Sequence, residues 1–256
     1  MSLRLRPLLP LLAVLFLAGC GGGNYTWGWH VVSPFDTRGL TNLEFLANGV
    51  YSTISVALVS IFFSVLLGLI FALPALSSNR TLAIISRIYV EFFRAVPMLV
   101  LILWVYYGVP VLTGLQLSVF FAGVIALALC DSAFEAEIFR AGLQSIEVGQ
   151  REAADALGLS YMDKLRFIIL PQAVRRVLPP LGNQFVYMLK ASSLLSVIGY
   201  SELTRRANEL VVVEYRPLEI YSLLVLEYLV LILIASWGVR TLERRLARSD
   251  RSAARI

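Results

Sequence analysis

Residues 152–171 read Glu-Ala-Ala-Asp-Ala-Leu-Gly-Leu-Ser-Tyr-Met-Asp-Lys-Leu-Arg-Phe-Ile-Ile-Leu-Pro, a polar stretch between two apolar runs of membrane length. Spans are usually joined by short, plain loops, so a segment with its own helical pattern stands out. Over 150–157, Ala153, Ala154 and Leu157 form a narrow apolar stripe built mostly of small side chains. Gly158 follows where a helix end takes a left-handed residue. Ser160 with Asp163 three residues later reads as a capping box that opens a second helix. Met162, Leu165, Ile168 and Ile169 would be its buried face, and Pro171 would stop or kink it. Two short helices joined at a glycine make a rigid knob. Alanine on an exposed stripe lets a partner backbone come close, as helix-in-groove recognition requires. The other reading of the same pattern is a surface helix pair without a partner.

Composition sets the class. The chain has 256 residues, 58% of them hydrophobic, and a mean hydropathy of +0.77, which marks an all-α integral membrane protein. Its 20 Arg and 2 Lys give a net charge of +5. In a soluble protein that excess would suggest nucleic acid; here the positions of the charges account for it, and no nucleic-acid partner is expected. Cys20 and Cys130 sit in a leader and in an apolar run, so no disulfide framework is expected. The single histidine, His30, has no Cys, Asp or Glu cluster around it and reads as an interfacial residue. Neither a metal nor a cofactor is implied.

Arg4 and Arg6 precede an apolar run from Leu8 to Ala18 that is short for a span, so residues 1–20 read as a signal-like leader. It ends in Leu17-Ala18-Gly19-Cys20, which resembles a bacterial lipobox with Cys20 as the lipidated residue; an uncleaved anchor is the alternative. Residues 21–45 would be an external linker, 46–242 the transmembrane domain and 243–256 a basic cytoplasmic tail. Within the domain, spans are expected over 49–76, 83–108, 116–139, 177–200 and 218–240. With alternating topology, one set of connecting segments holds fourteen basic residues and the other only Arg38, Arg205, Arg206 and Arg216. The positive-inside rule then places the N-terminus outside, the C-terminus inside and the 152–171 hairpin in the cytoplasm.

Ionisable groups inside a span are expensive and are functional candidates by default. Asn183, Tyr187 and Lys190 lie at i, i+4 and i+7, one helix face, with Ser192 and Ser193 following. The third span carries Asp131 and Glu135, then Glu137 and Arg140, the latter spaced as a helix-surface ion pair. Glu135 and Lys190 could meet each other, hold a second subunit, or contact a solute. No phosphate loop, nucleophile elbow or zinc-ligand spacing occurs, so the chain is neither its own ATPase nor another enzyme.

Glu152, Ala153, Ala154 and Gly158, followed by Ile168, Leu170 and Pro171, resemble the EAA loop of ABC-importer permeases. Three further segments resemble the amino-acid branch of that family. These are Phe92-Phe93-Arg94-Ala95-Val96-Pro97, Ala136-Glu137-Ile138-Phe139-Arg140, and the segment opening at Lys190, where Ala191 and Ser192 stand in place of Asp and Thr. The resemblance covers residues 44–242. It implies a five-helix type-1 importer transmembrane domain in the bacterial inner membrane, of the histidine, glutamine, arginine and opine type. A polar amino acid would pass along Asn183, Tyr187, Lys190, Ser192, Ser193 and Glu135. The 146–171 loop would dock on a separate ATPase through Glu152, Ala153, Ala154, Gly158, Leu170 and Pro171. The implied partners are cytoplasmic ATPases, a second permease subunit, an external solute-binding protein and membrane lipid. Two other functions fit parts of the sequence: an ion-coupled secondary transporter using Asp131, Glu135 and Lys190, and a non-transporting membrane scaffold.

Overall fold

Capping residues and prolines decide where the apolar runs begin and break. The computed structural model describes residues 25–77 and 79–253; the expected leader and Cys20 lie outside them. Helix α1, Thr37–Ala75, starts where the Asp36 carboxylate accepts the N–H groups of Arg38 and Gly39. It begins well before the expected residue 49, so residues 37–45 of the expected external linker are helical. Helix α2, Arg80–Ala95, is capped by the Asn79 side chain, which accepts from Thr81 and Leu82.

The expected second span, 83–108, is not one helix. α2 ends at Ala95, α3 runs over Met98–Thr113, and the two are bent by 99°. Val96 is held extended at ψ 126° before Pro97, because the proline ring excludes helical backbone from the residue ahead of it. The bend therefore exceeds a kink.

Helix α4, Val119–Gln144, is capped by Ser118. α5, Val148–Ala156, leads to a turn at Gly158 and a helical stretch over 161–169; α6, Leu170–Ala191, passes into the 3-10 turn Ser192–Ile198. α7, Leu203–Glu214, and α8, Pro217–Ala253, complete the chain, and α8 continues through the expected tail boundary at 243. Among the described residues three helices are long and apolar enough to cross a membrane, and the bent α2–α3 pair makes a fourth if it is counted as one broken span. α6, the expected fourth of five spans, has the length at 22 residues but carries Arg175, Arg176 and Lys190.

α1 and α4 pack along a small-residue stripe in which Ser60, Ser64, Gly68 and Ala72 are buried. Small residues let helix backbones approach closely where lipid gives no hydrophobic drive. At Gly68 the approach is so tight that an added Cβ would sit 2.5 Å from Glu135 Cβ. The main core joins α1, α3, α4 and α6 through Val56, Ile102, Leu127, Met188 and Leu195. A second cluster, Leu46, Leu203, Leu210 and Ile220, fastens α7 between α1 and α8. Beside it Glu214 accepts from the Asn42 amide at 2.9 Å and pairs with Arg38 at 2.8 Å. Burial would raise the Glu214 carboxyl, but the Asn42 hydrogen bond and Arg38 together hold it below its ordinary range.

Candidate functional site

The hairpin is built by local hydrogen bonds. α5 ends in a paired motif: Leu159 N–H donates to Ala154 O at 3.2 Å, and Gly158 N–H to Asp155 O at 3.0 Å. That pattern needs a left-handed residue just past the helix, and Gly158 takes φ +69°. Ser160 then opens the second arm, accepting from Asp163 N–H at 3.2 Å while its hydroxyl donates to the Asp163 carboxylate. Lys164 reaches back to Asp155 at 2.5 Å and ties the two arms together.

Two expectations about the second arm need correction. Met162 is not on its buried face but 69% exposed, because only Ile169, with Leu165 against it, turns toward the core. Pro171 neither stops nor breaks the helix: helical backbone runs through it from the preceding turn into α6, although its ring nitrogen can donate no hydrogen bond. The strain is taken by the preceding turn, Lys164–Ile169, which widens to π-helix. The base of the hairpin is fixed by Ile146, Ile169 and Ala173, and by Arg176, whose guanidinium donates to Ser145 O and, at 2.9 Å, to Ser145 Oγ.

The opposite side is left open. Leu157, Tyr161, Met162 and Phe167 are each more than 60% exposed around the Gly158 turn, with Glu152, Ala153 and Pro171 also exposed; Ala154 is buried against the hairpin and Leu170 is partly free. Large apolar side chains thus stand exposed together around the turn.

Inside the helices, Asn183, Tyr187 and Lys190 are all exposed along one face of α6, and Lys190 has no ion-pair partner among the described residues. Ser192 is buried and donates to Leu189 O, and Ser193 donates to Lys190 O, so both hydroxyls are used by backbone. Glu135 does not join that face. It is fully buried against Gly68, and neither of its carboxylate oxygens has a hydrogen-bond partner. Asp131, one turn away, accepts from Ser64 at 2.6 Å and from Gln184 at 3.2 Å. The pairing of Lys190 with Glu135 is therefore absent within one chain.

Glu137 and Arg140 come within 3.7 Å, but the closer partner of Glu137 is Arg94 at 2.6 Å. Arg94 also lies over the Phe134 ring. Arg94 and Glu137, with Arg87, Glu91 and Arg140, line a cavity of about 190 Å³ where α1, α2 and α4 meet. Arg94 belongs to the Phe92–Pro97 segment, but its neighbour Glu137 on α4 depends on the packing of two helices and has no signal in spacing.

A family model described as "Binding-protein-dependent transport system inner membrane component" matches residues 64–248. The arginine transport system permease protein ArtQ of Bacillus subtilis (strain 168) is 34% identical over 211 residues, 82% of this chain and 96% of that protein. The glutamine transport system permease protein GlnP of Escherichia coli (strain K12) is 40% identical over 163 residues, 63% of this chain and 74% of that one. A solved structure of an amino acid ABC transporter with histidines superposes with a TM-score of 0.78 at 36% identity, over 86% of this chain and 100% of that one. A chain of the MetNI methionine ABC transporter in an inward-facing conformation gives 0.69 at 20% identity, over 80% and 97%, a likeness of fold.

Proposed function

The chain belongs to the binding-protein-dependent transport system inner membrane components, and from that premise we propose how its surfaces work in an importer. It is the membrane-spanning subunit of an ABC importer and not an enzyme; ATP hydrolysis is done by a partner ATPase. Its solute is a polar amino acid, the class for which the arginine and glutamine relatives are named. Ion-coupled transport and a non-transporting scaffold give way to this reading.

The finer assignments are ours. The hairpin docks into a groove of the ATPase, with Glu152, Ala153, Ala154, Gly158, Leu170 and Pro171 at the contact. What supports this is the open apolar rim around Gly158 on a turn locked by Lys164 and Asp155. Five spans cross the bacterial inner membrane with the N-terminus outside, and α6 is the fourth of them, its Asn183, Tyr187 and Lys190 facing a second permease subunit across a polar path rather than lipid. A lysine on the lipid side would cost several kcal/mol. An external binding protein delivers the solute, and closure of the ATPase pair draws the hairpins together and reorients the spans.

Reconstitution tests the reading. The chain, co-expressed with its ATPase, should show ATP hydrolysis stimulated by external binding protein plus solute. Stimulation that survives removal of the apolar rim, as in Tyr161→Ser with Met162→Ser, would rule out docking through this surface.

A further inference from the structure

Helix α2 is set across its neighbours rather than along them. α3, which packs with α1 and α4 in the main core, continues α2 only after a bend of 99°. With α3 running through the membrane, α2 lies close to the membrane plane. It begins at Arg80, just past the end of α1 at Ala75.

The 16 residues of α2 divide into three faces. One is fastened to the protein: Ser86 Oγ donates to Phe71 O of α1 at 2.5 Å, Tyr89 Oη lies 2.7 Å from Ser132 Oγ of α4, and the Tyr89 ring stacks on Phe71. A second carries Ile85, Ile88 and Phe92, spaced by three and four and each more than half exposed. Arg80, Arg87, Glu91 and Arg94, spaced by seven, four and three, make the third. An exposed apolar face beside a charged one suits a helix seated in the membrane interface, its apolar side against acyl chains.

The charged face also walls the cavity that Arg87, Glu91 and Arg94 share with Glu137 and Arg140 of α4. Its 190 Å³ equals about six water volumes, room for a phosphate group. Three arginines and two glutamates line it, which leaves one positive charge in excess. Arg94 and Arg140 are both engaged by Glu137, at 2.6 and 3.7 Å. Arg87 has no hydrogen bond or ion pair among the described residues. Glu91, one turn on, does not take it up; a base placed N-terminal to the acid is the weaker order on a helix. The uncancelled charge is therefore a guanidinium, next in the chain to the exposed Ile88.

A guanidinium fork matches phosphate oxygens, and the neighbouring apolar face matches acyl chains. Inorganic phosphate offers only the first contact. A zwitterionic lipid offers both but leaves the excess charge uncancelled, whereas an anionic lipid removes it. Basic pockets between membrane helices on the cytoplasmic side take such headgroups. We propose that this cavity binds the phosphodiester of an anionic phospholipid of the cytoplasmic leaflet, with Arg87 as its principal contact and the acyl chains along Ile85, Ile88 and Phe92. The assignment of leaflet rests on the orientation proposed above.

Native mass spectrometry of the full chain with its ATPase, titrated with phosphatidylglycerol or phosphatidylcholine, tests the site without any readout of transport. Phosphatidylglycerol should bind at least fivefold more tightly than phosphatidylcholine. Arg87→Gln should remove roughly that preference and Arg87→Lys should keep most of it. Arg240→Gln, the same charge change on the exposed end of α8, should leave it intact. Equal binding of the two lipids, or equal losses in Arg87→Gln and Arg240→Gln, overturns the proposal. So does displacement of the lipid by millimolar inorganic phosphate, which would make this a site for a free anion. A green fluorescent protein fused to the C-terminus checks the orientation separately. A dark fusion overturns the cytoplasmic leaflet together with the topology, whereas a fluorescent fusion without lipid preference overturns the lipid site alone.

Discussion

Gly158→Val isolates the backbone requirement of the hairpin. The glycine sits at φ +69°, and a Cβ added there would meet nothing within 4 Å, so no clash enters the argument. A side chain in the left-handed region costs about 1–2 kcal/mol. Relaxing the turn instead gives up the Leu159 and Gly158 N–H bonds to Ala154 and Asp155, worth about 1 kcal/mol each. Either route weakens the formed hairpin by about 1–2 kcal/mol, roughly a 5- to 30-fold fall in the ratio of formed to unformed turn. Asparagine tolerates the left-handed region and should lose least. Binding-protein-stimulated ATP hydrolysis in proteoliposomes should therefore rank wild type, Gly158→Asn, Gly158→Ala, Gly158→Val, with co-purification of the ATPase falling in the same order. Wild-type stimulation in Gly158→Val, or an asparagine variant as poor as valine, would refute the backbone argument.

Lys190→Met should change solute affinity or basal ATP hydrolysis without lowering expression; unchanged transport would remove this face of α6 from the path. Gly68→Ala forces a Cβ toward Glu135 Cβ at 2.5 Å and should destabilise the α1–α4 packing by about 1–3 kcal/mol, read as a lower melting temperature in detergent. The Lys164–Asp155 pair has its carboxylate 60% exposed, so a double-mutant cycle should give at most about 1 kcal/mol, shrinking with added salt. Because the Glu214 carboxyl is held below its ordinary value of 4.5, it adds stability above that pH that fades as the pH falls through its lowered value. Glu214→Gln should flatten the acid limb of the melting curve, and an unaltered limb would discard the link.

The hairpin was legible before any coordinates because its determinants are local. A glycine after a small-residue helix and a Ser-x-x-Asp cap specify their own backbone through bonds that span only a few residues. The ends of α1, α2 and α4 follow from Asp36, Asn79 and Ser118 in the same way. Pro97 fixes its own φ and the extended residue before it, while the size of the 99° bend also depends on where α2 and α3 find packing partners.

What the sequence alone determined was the class of the protein, through apolar runs of membrane length and a twenty-residue loop that resembles one in the ABC-importer permeases. Tertiary structure decided which side chains meet. Glu135 and Lys190 both look available in a linear reading, yet one is sealed against Gly68 and the other stands on an open face of α6. Arg94 finds Glu137 across a helix pair, and Tyr25 finds Glu219 nearly the whole chain away. Helical periodicity gives a residue its angle on its own helix; the rotation and depth of the neighbouring helix come from packing summed over the whole interface, and no local pattern records that sum.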